Sequence, residues 1–243
     1  MNFGLTGTLL NAAAIIVCGA VALGGRQFSP QVQTAIKGLL GVFTVFVGLR
    51  LTLTSLSGSL RHVVQQLAIV LISLMAGDLL GRMLHLQDSS NRLGKFAREQ
   101  IEKASSGGPR QFSAGFITAS LLFCITPLAL LGALQDGLAD KWQTLAVKAV
   151  MDALATMAFV GTFGSSVLFS ALPVLAFQGT VSLGAKSLAG VLPPLVIDSI
   201  NATGGLLVSS VSLIIFEFRR VRLADMLPSL IIAPLLTWLW FVR

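Results

Sequence analysis

Lys148 and Asp152 stand four residues apart inside an otherwise apolar run. On an α-helix that spacing puts both side chains on one face. An ammonium or a carboxylate at the centre of a bilayer costs roughly 2.5–3.5 kcal/mol on insertion scales. The pair is therefore either an internal salt bridge, with Lys148 reaching outward along its aliphatic stem, or a working site. In the second case Asp152 suits a proton or small cation, and Lys148 suits an anionic group. Asn11 and Gln178 carry amides in two further apolar runs, where each must find a partner on another helix or on a substrate. Asp198 and Asn201 follow Pro193-Pro194 and precede Gly204-Gly205. Asp198 is either an N-cap or part of a helix start sunk below the membrane surface, its free amides facing a cavity. Asn11, Gln178 and Asn201 are expected to converge on Asp152 from three other helices. Asp225 and Asp78 lie near segment ends, where an interfacial role competes with ion binding. Asp136 and Asp140 flank a glycine-containing turn and read as solvated carboxylates, with a cation mouth or acid/base pair as the alternative.

Other chemistry is poorly provided for. His62 and His85 fall at segment ends without a partner at metal-ligand spacing, so no metal is expected. Gly164-Ser165-Ser166 offers a serine nucleophile but no histidine at comparable depth to activate it. No glycine-rich phosphate loop follows a strand. Cys18 and Cys124 read as small buried hydrophobes. Neither catalysis nor a cofactor is expected.

The elements that must position these residues follow from composition. The 243 residues are 54% hydrophobic before their 24 glycines are counted, and 11% are charged, against about 25% in soluble domains. That excludes a soluble enzyme, a nucleic-acid-binding domain and a disordered chain. The basic residues behind the net charge of +7 lie between apolar runs, where orientation in a bilayer accounts for them better than nucleic acid does. The opening Met1-Asn2-Phe3-Gly4 has no basic region ahead of the first apolar run, so this reads as a membrane segment and not a cleaved signal peptide. The chain is read as an all-α, polytopic transmembrane helix bundle of about eight spans. These cover 3–24, 34–55, 62–81, 113–134, 145–161, 166–185, 199–216 and 224–242. The fifth and sixth form one apolar run broken only at Gly161 to Ser166, which suits a tight hairpin or a re-entrant pair. Residues 1–243 form a single transmembrane domain: a three-helix unit at 1–81, a loop at 82–112, a central helix pair at 113–161 and a second three-helix unit at 162–243.

Orientation follows from the basic residues. Eight spans put Arg26, Lys37, Arg82, Arg92, Lys95, Arg98, Lys103, Arg110, Arg219, Arg220 and Arg222 on one side, eleven of the 17 in the chain. That side is cytoplasmic by the positive-inside rule, and both termini point outward. Asn91 to Lys103 predicts an amphipathic surface helix, with Glu99 and Lys103 four apart, followed by a flexible Ser105-Ser106-Gly107-Gly108-Pro109. Cys18 to Gly25 aligns with Gln178 to Ala185, and Gly38-Leu39-Leu40 with Gly205-Leu206-Leu207. Spans 1–3 and 6–8 would then be copies starting five spans apart, an inverted repeat of the kind many transporters carry. Gly19, Gly24, Gly38 and Gly41 permit close helix contacts within or between subunits, so a homo-oligomer is possible.

Gly7-Thr8-Leu9-Leu10-Asn11, Cys124-Ile125-Thr126-Pro127, Asp136-Gly137, Lys148 to Asp152, Pro173 to Gly179, Gly204 to Leu207 and Met226-Leu227-Pro228 form an ordered set along the chain. It resembles a bacterial polytopic membrane protein family of unknown function that includes the YdfK and YqgA proteins. Thr126 stands where that family usually has glycine, and Asp225 where it usually has asparagine. The resemblance implies a multi-pass membrane location and no established activity. Partners expected from the residues are the lipid bilayer and a small solute or cation, H+ or Na+. The most economical function is a secondary transporter or channel in the bacterial inner membrane; the alternative is a membrane scaffold or regulatory subunit without transport activity.

Overall fold

A computed structural model of the chain describes residues 4–25, 28–103, 109–219 and 221–242. Arg26, Arg220 and the Ser105–Gly108 part of the expected linker lie outside the described residues. Every regular element among the described residues is helical. The helices are α1 (Thr6–Leu23), α2 (Pro30–Thr54), α3 (Leu60–Met83), α4 (Leu86–Lys103), α5 (Pro109–Ile125), α6 (Pro127–Ala139), α7 (Gln143–Phe163), α8 (Ala171–Ala189), α9 (Pro194–Ile215), α10 (Leu223–Met226) and α11 (Ser229–Thr237). A 3-10 turn, Gly164–Ser170, joins α7 to α8, and a π-helical turn, Trp238–Val242, follows α11.

Among the described residues six helices or helical runs are long and apolar enough to cross a membrane, and a seventh if α5 and α6 are taken as one bent segment. One of the six is the 47-residue run Gln143–Ala189. It is no straight rod, because Asn11 hydrogen-bonds to both Asp152 and Gln178. On one helix those two residues would lie about 39 Å apart. The chain reverses at Gly164, whose φ of +65° is open to glycine, and in the 3-10 turn after it. α7 and α8 are thus antiparallel, and among the described residues the apolar helical segments number eight when α5–α6 and α10–α11 each count as one. Prolines mark three of their irregularities. Pro127 starts α6 after a 58° bend, Pro228 separates α10 from α11, and Pro234 lies inside α11. Pro173 sits in the first turn of α8, where its missing N–H costs nothing.

The chain divides into two compact units, Met1–Ile36 with Ser89–Ala185, and Lys37–Asp88 with Lys186–Arg243. α1 and the first residues of α2 belong to the first unit, and α2 from Lys37 together with α3 to the second.

In the first unit α1 is the central rod. Gly7 packs on Leu145 and Asp136, while Gly19 packs on Leu168 and Thr156. α1 runs parallel to α7 and antiparallel to α8, whose Ser182 meets Thr8. α5–α6 also runs antiparallel, with Gly115 beside Phe163 and Ser166 at one end and Gly132 beside Leu145 towards the other. An apolar core of Ile15, Ala119, Phe123, Met157, Val160, Phe163 and Val167 fills the half nearest the 3-10 turn.

In the second unit α2, from Lys37, runs antiparallel to α9. Gly41 meets Phe216, Gly48 meets Gly205 and Ser209, and the Thr52 hydroxyl lies within hydrogen-bond distance of the Gly48 and Ala202 carbonyls (3.0 and 3.1 Å). Both glycines are needed where the backbones touch. α3 runs antiparallel to α10–α11, from the His62–Phe241 ring contact (4.6 Å between centroids) to Gly77 on Ser229 and Gly81 on the Asp225 backbone. The amphipathic α4 begins at Leu86, earlier than Asn91, and places Leu86, Leu93 and Phe96 on one helical face.

Candidate functional site

The site is built from the end of α1 inward. α1 has no side-chain cap of its own at Leu5. The carboxylate of Asp136, in the last turn of α6, accepts from Gly7 N at 2.8 Å and supplies that cap from across the bundle. Asp136 is 1% exposed, which corrects its reading as a solvated turn residue. The physical reason is that α6 continues to Ala139, so Asp136 lies on the helix face turned to α1. Only Asp140, the exposed left-handed residue that ends α6, behaves as a turn carboxylate.

One turn further in, the hydroxyls of Thr8 and Ser182 lie 3.5 Å apart, and Ser182 donates to the Ala133 carbonyl (3.0 Å). Below them Asn11 Nδ2 donates to Asp152 Oδ2 (3.0 Å) and to Gln178 Oε1 (3.4 Å). Lys148 Nζ donates to the same Asp152 Oδ2 and lies 5.9 Å from the Phe123 ring centroid, within cation–π range. Lys148 is 1% exposed and Asp152 5%. The buried ion pair is thus contacted by α1 and by Phe123 of α5, with α8 one hydrogen bond away. Three buried atoms beside it, Asn11 Oδ1, Gln178 Nε2 and Thr156 Oγ1, have no hydrogen-bond partner. A charge-balanced pair flanked by an unused donor and an unused acceptor is chemically suited to a small polar guest.

The other expected residues lie in the second unit. α9 starts at Pro194, a position that suits proline, with Pro193 preceding it. Asp198 therefore sits in the second turn, too far along to cap the helix, and the N-cap reading is corrected. Asn201 is 2% exposed, and its Oδ1 has no hydrogen-bond partner. Asp225 is fully buried. Its Oδ1 accepts from Gln87 N at 2.8 Å and its Oδ2 from Arg222 Nε at 2.6 Å, while Gln87 Oε1 accepts from Ala224 N at 3.1 Å. Asp78 pairs with Arg82 at 2.7 Å. Among the described residues no group of three His, Cys, Asp or Glu side chains is placed to hold a metal ion. The Ser166 hydroxyl donates to the Phe163 carbonyl (3.0 Å).

Sequence reasoning missed Asp136, Thr8 and Ser182. The structure gives the reason for Asp136: α1 starts after Leu5, which has no capping side chain, so its first amides take an acceptor from another helix.

Apolar helical segments enclosing an ion pair define a polytopic α-helical membrane protein. The chain belongs to the family described as "Protein of unknown function (DUF554)", which matches residues 6–238. It is similar to the uncharacterized membrane protein YdfK of Bacillus subtilis (strain 168), 26% identical over 232 residues that cover 94% of this chain and 93% of the relative. It is also similar to the uncharacterized protein YqgA of Escherichia coli (strain K12), 22% identical over 236 residues covering 96% and 97%. No solved structure matches it significantly.

Proposed function

We propose that the protein is a secondary transporter of a small solute or cation in the bacterial inner membrane, with Asp152 and Lys148 at its working site. The observation that carries this reading is the buried polar group Asn11–Asp152–Lys148–Gln178, drawn from three helices and left with unused hydrogen-bonding atoms. A purely structural pair has no need of them.

Within this proposal the chain crosses the membrane eight times, with both termini outside and 82–112 in the cytoplasm. The directions of the helices support it. In the first unit the Gly7, Asp136–Asp140 and Ser182 ends share one side and the Gly19, Gly115 and Gly164 ends the other. In the second unit Thr52, His62, Ala202 and Phe241 share one end, and Gly41, Gly81, Phe216 and Asp225 the other. That alternation is what eight crossings require. An inverted repeat of segments 1–3 and 6–8 requires each segment to run opposite to its counterpart. α1 against α8, α2 against α9 and α3 against α11 each do so within their own unit, which supports the repeat.

The test is flux. The purified protein in proteoliposomes is screened with small solutes and cations across pH and sodium gradients, alongside Asp152→Asn. Flux that falls to background in Asp152→Asn, with the protein still folded, is expected. The double variant Lys148→Met with Asp152→Leu would restore apolar packing but not a site. If that variant is stable and fully active, the working-site reading is wrong; if the parent protein itself moves no solute or cation under any gradient, the scaffold reading stands.

A further inference from the structure

Four polar side chains in the second unit, each more than nine-tenths buried, border one small cavity of about 10 Å³. They are Ser55 (4% exposed), Gln66 (7%), Ser199 (8%) and Thr237 (2%). They come from the residue after α2, from α3, from α9 and from the last turn of α11, and the rest of the lining is aliphatic apart from backbone. Four separate elements each bring an oxygen-bearing residue to the border of this one cavity. The volume is about that of one water-sized sphere.

The donor set decides what belongs there. The side chains offer three hydroxyls and an amide oxygen, with no carboxylate, imidazole or thiolate among them, so transition metals and divalent cations are disfavoured. Ser199 Oγ already donates to the Val196 carbonyl at 2.8 Å. With its proton committed, it presents only lone pairs to the cavity. Gln66 Oε1 accepts from Ser57 N at 3.2 Å and keeps a second lone pair. α2 ends at Thr54, immediately before Ser55, so the negative end of its dipole lies at the same point. Neutral oxygens, a helix C-terminus and room for one small particle form a site for a dehydrated alkali cation, and the space is too small for a hydrated one. We propose that this cavity is a sodium site. It shares no residue with the Asp152 group and does not rest on the transport reading. If that reading holds, it identifies the coupling ion.

The test uses the purified full chain in detergent. Its unfolding midpoint is followed while sodium chloride replaces choline chloride at constant ionic strength, with a parallel potassium series. A saturable rise with sodium alone is expected. Ser199→Ala and Thr237→Val should each raise the half-saturating sodium concentration by about tenfold or more. Asp152→Asn should leave it unchanged even where it abolishes flux, which separates failure of one proposal from failure of the other. Equal responses to sodium, potassium and choline would mean a structural water only, and would overturn the assignment. So would a sodium response that survives both hydroxyl substitutions. If Ser199→Ala fails to fold, Ser55→Ala makes the same reading at the other side of the cavity.

Discussion

Asp152 in the first unit and Asp225 in the second are both withdrawn from solvent, and each faces a cation close by in sequence, Lys148 four residues before and Arg222 three. Their surroundings differ. The Arg222 side chain is 45% exposed, so that ion keeps much of its hydration; the Lys148 side chain is 2% exposed, and both members of its pair are desolvated. Both oxygens of Asp225 are taken by neighbours fixed in place, and Gln87 answers through its own side chain on Ala224 N. The starts of α4 and α10 thus cap one another, a reciprocal arrangement that works as a joint. Asp152 gathers its second partner, Asn11, from another helix, and atoms around it stay unpaired. Burial of a carboxylate therefore does not by itself mark a working site. What sets the Asp152 group apart is incomplete satisfaction around a fully desolvated pair.

The comparison can be broken most directly by removing each cation. Lys148→Met leaves buried Asp152 without its cation and with only the Asn11 amide donating to it, and should cost roughly 3–5 kcal/mol. Arg222→Met leaves Asp225 with its Gln87 N–H, next to a position that water reaches, and should cost about 1–2 kcal/mol. Thermal and denaturant unfolding in detergent measure both. Equal losses would show that the two carboxylates are held in the same way.

Packing gives the next largest effect. A Cβ at Gly81 would overlap the Asp225 backbone, so Gly81→Ala should destabilise the joint by roughly 1–3 kcal/mol. Gly184 on α8 has open space where a Cβ would go. There Gly184→Ala should be neutral or stabilising by up to about 1 kcal/mol through helix propensity. Limited proteolysis of α4 sharpens the reading, since only the Gly81 substitution should speed cleavage there.

These contrasts also show what sequence could and could not reveal. Apolar runs place the segments within a few residues: 34–55 became Pro30–Thr54 and 62–81 became Leu60–Met83. The amides at 11 and 178 belonged with Asp152 because residues of like depth on neighbouring helices have few other partners. The bend at Pro127 was not legible, because a proline that opens a new helix and one that kinks a continuous helix look alike in a sequence. Asp136 was misread because Gln135-Asp136-Gly137 is turn-like locally, while its partner Gly7 is 129 residues away. The joint at Asp225 depends on Gln87 across a similar separation of 138. Local pattern carries segment positions; it does not carry which buried carboxylate meets which amide.

The smallest effect on stability belongs to the residue that best isolates the Asp152 group. Gln178 is fully buried and accepts one long hydrogen bond, 3.4 Å, from Asn11, while its own Nε2 donates to nothing. Gln178→Leu keeps the volume and removes that weak bond together with an unsatisfied donor. Interhelical hydrogen bonds in membranes average about 0.6 kcal/mol, so the loss should be of that order or smaller, and relief of the unpaired amide works against it. If the amide serves only packing, flux in proteoliposomes should match the parent protein. If Nε2 is held for a guest, the same variant should transport far less while unfolding at nearly the same temperature. A large loss of stability with unchanged flux per folded molecule would reverse the assignment and make Gln178 part of the frame that holds the pair.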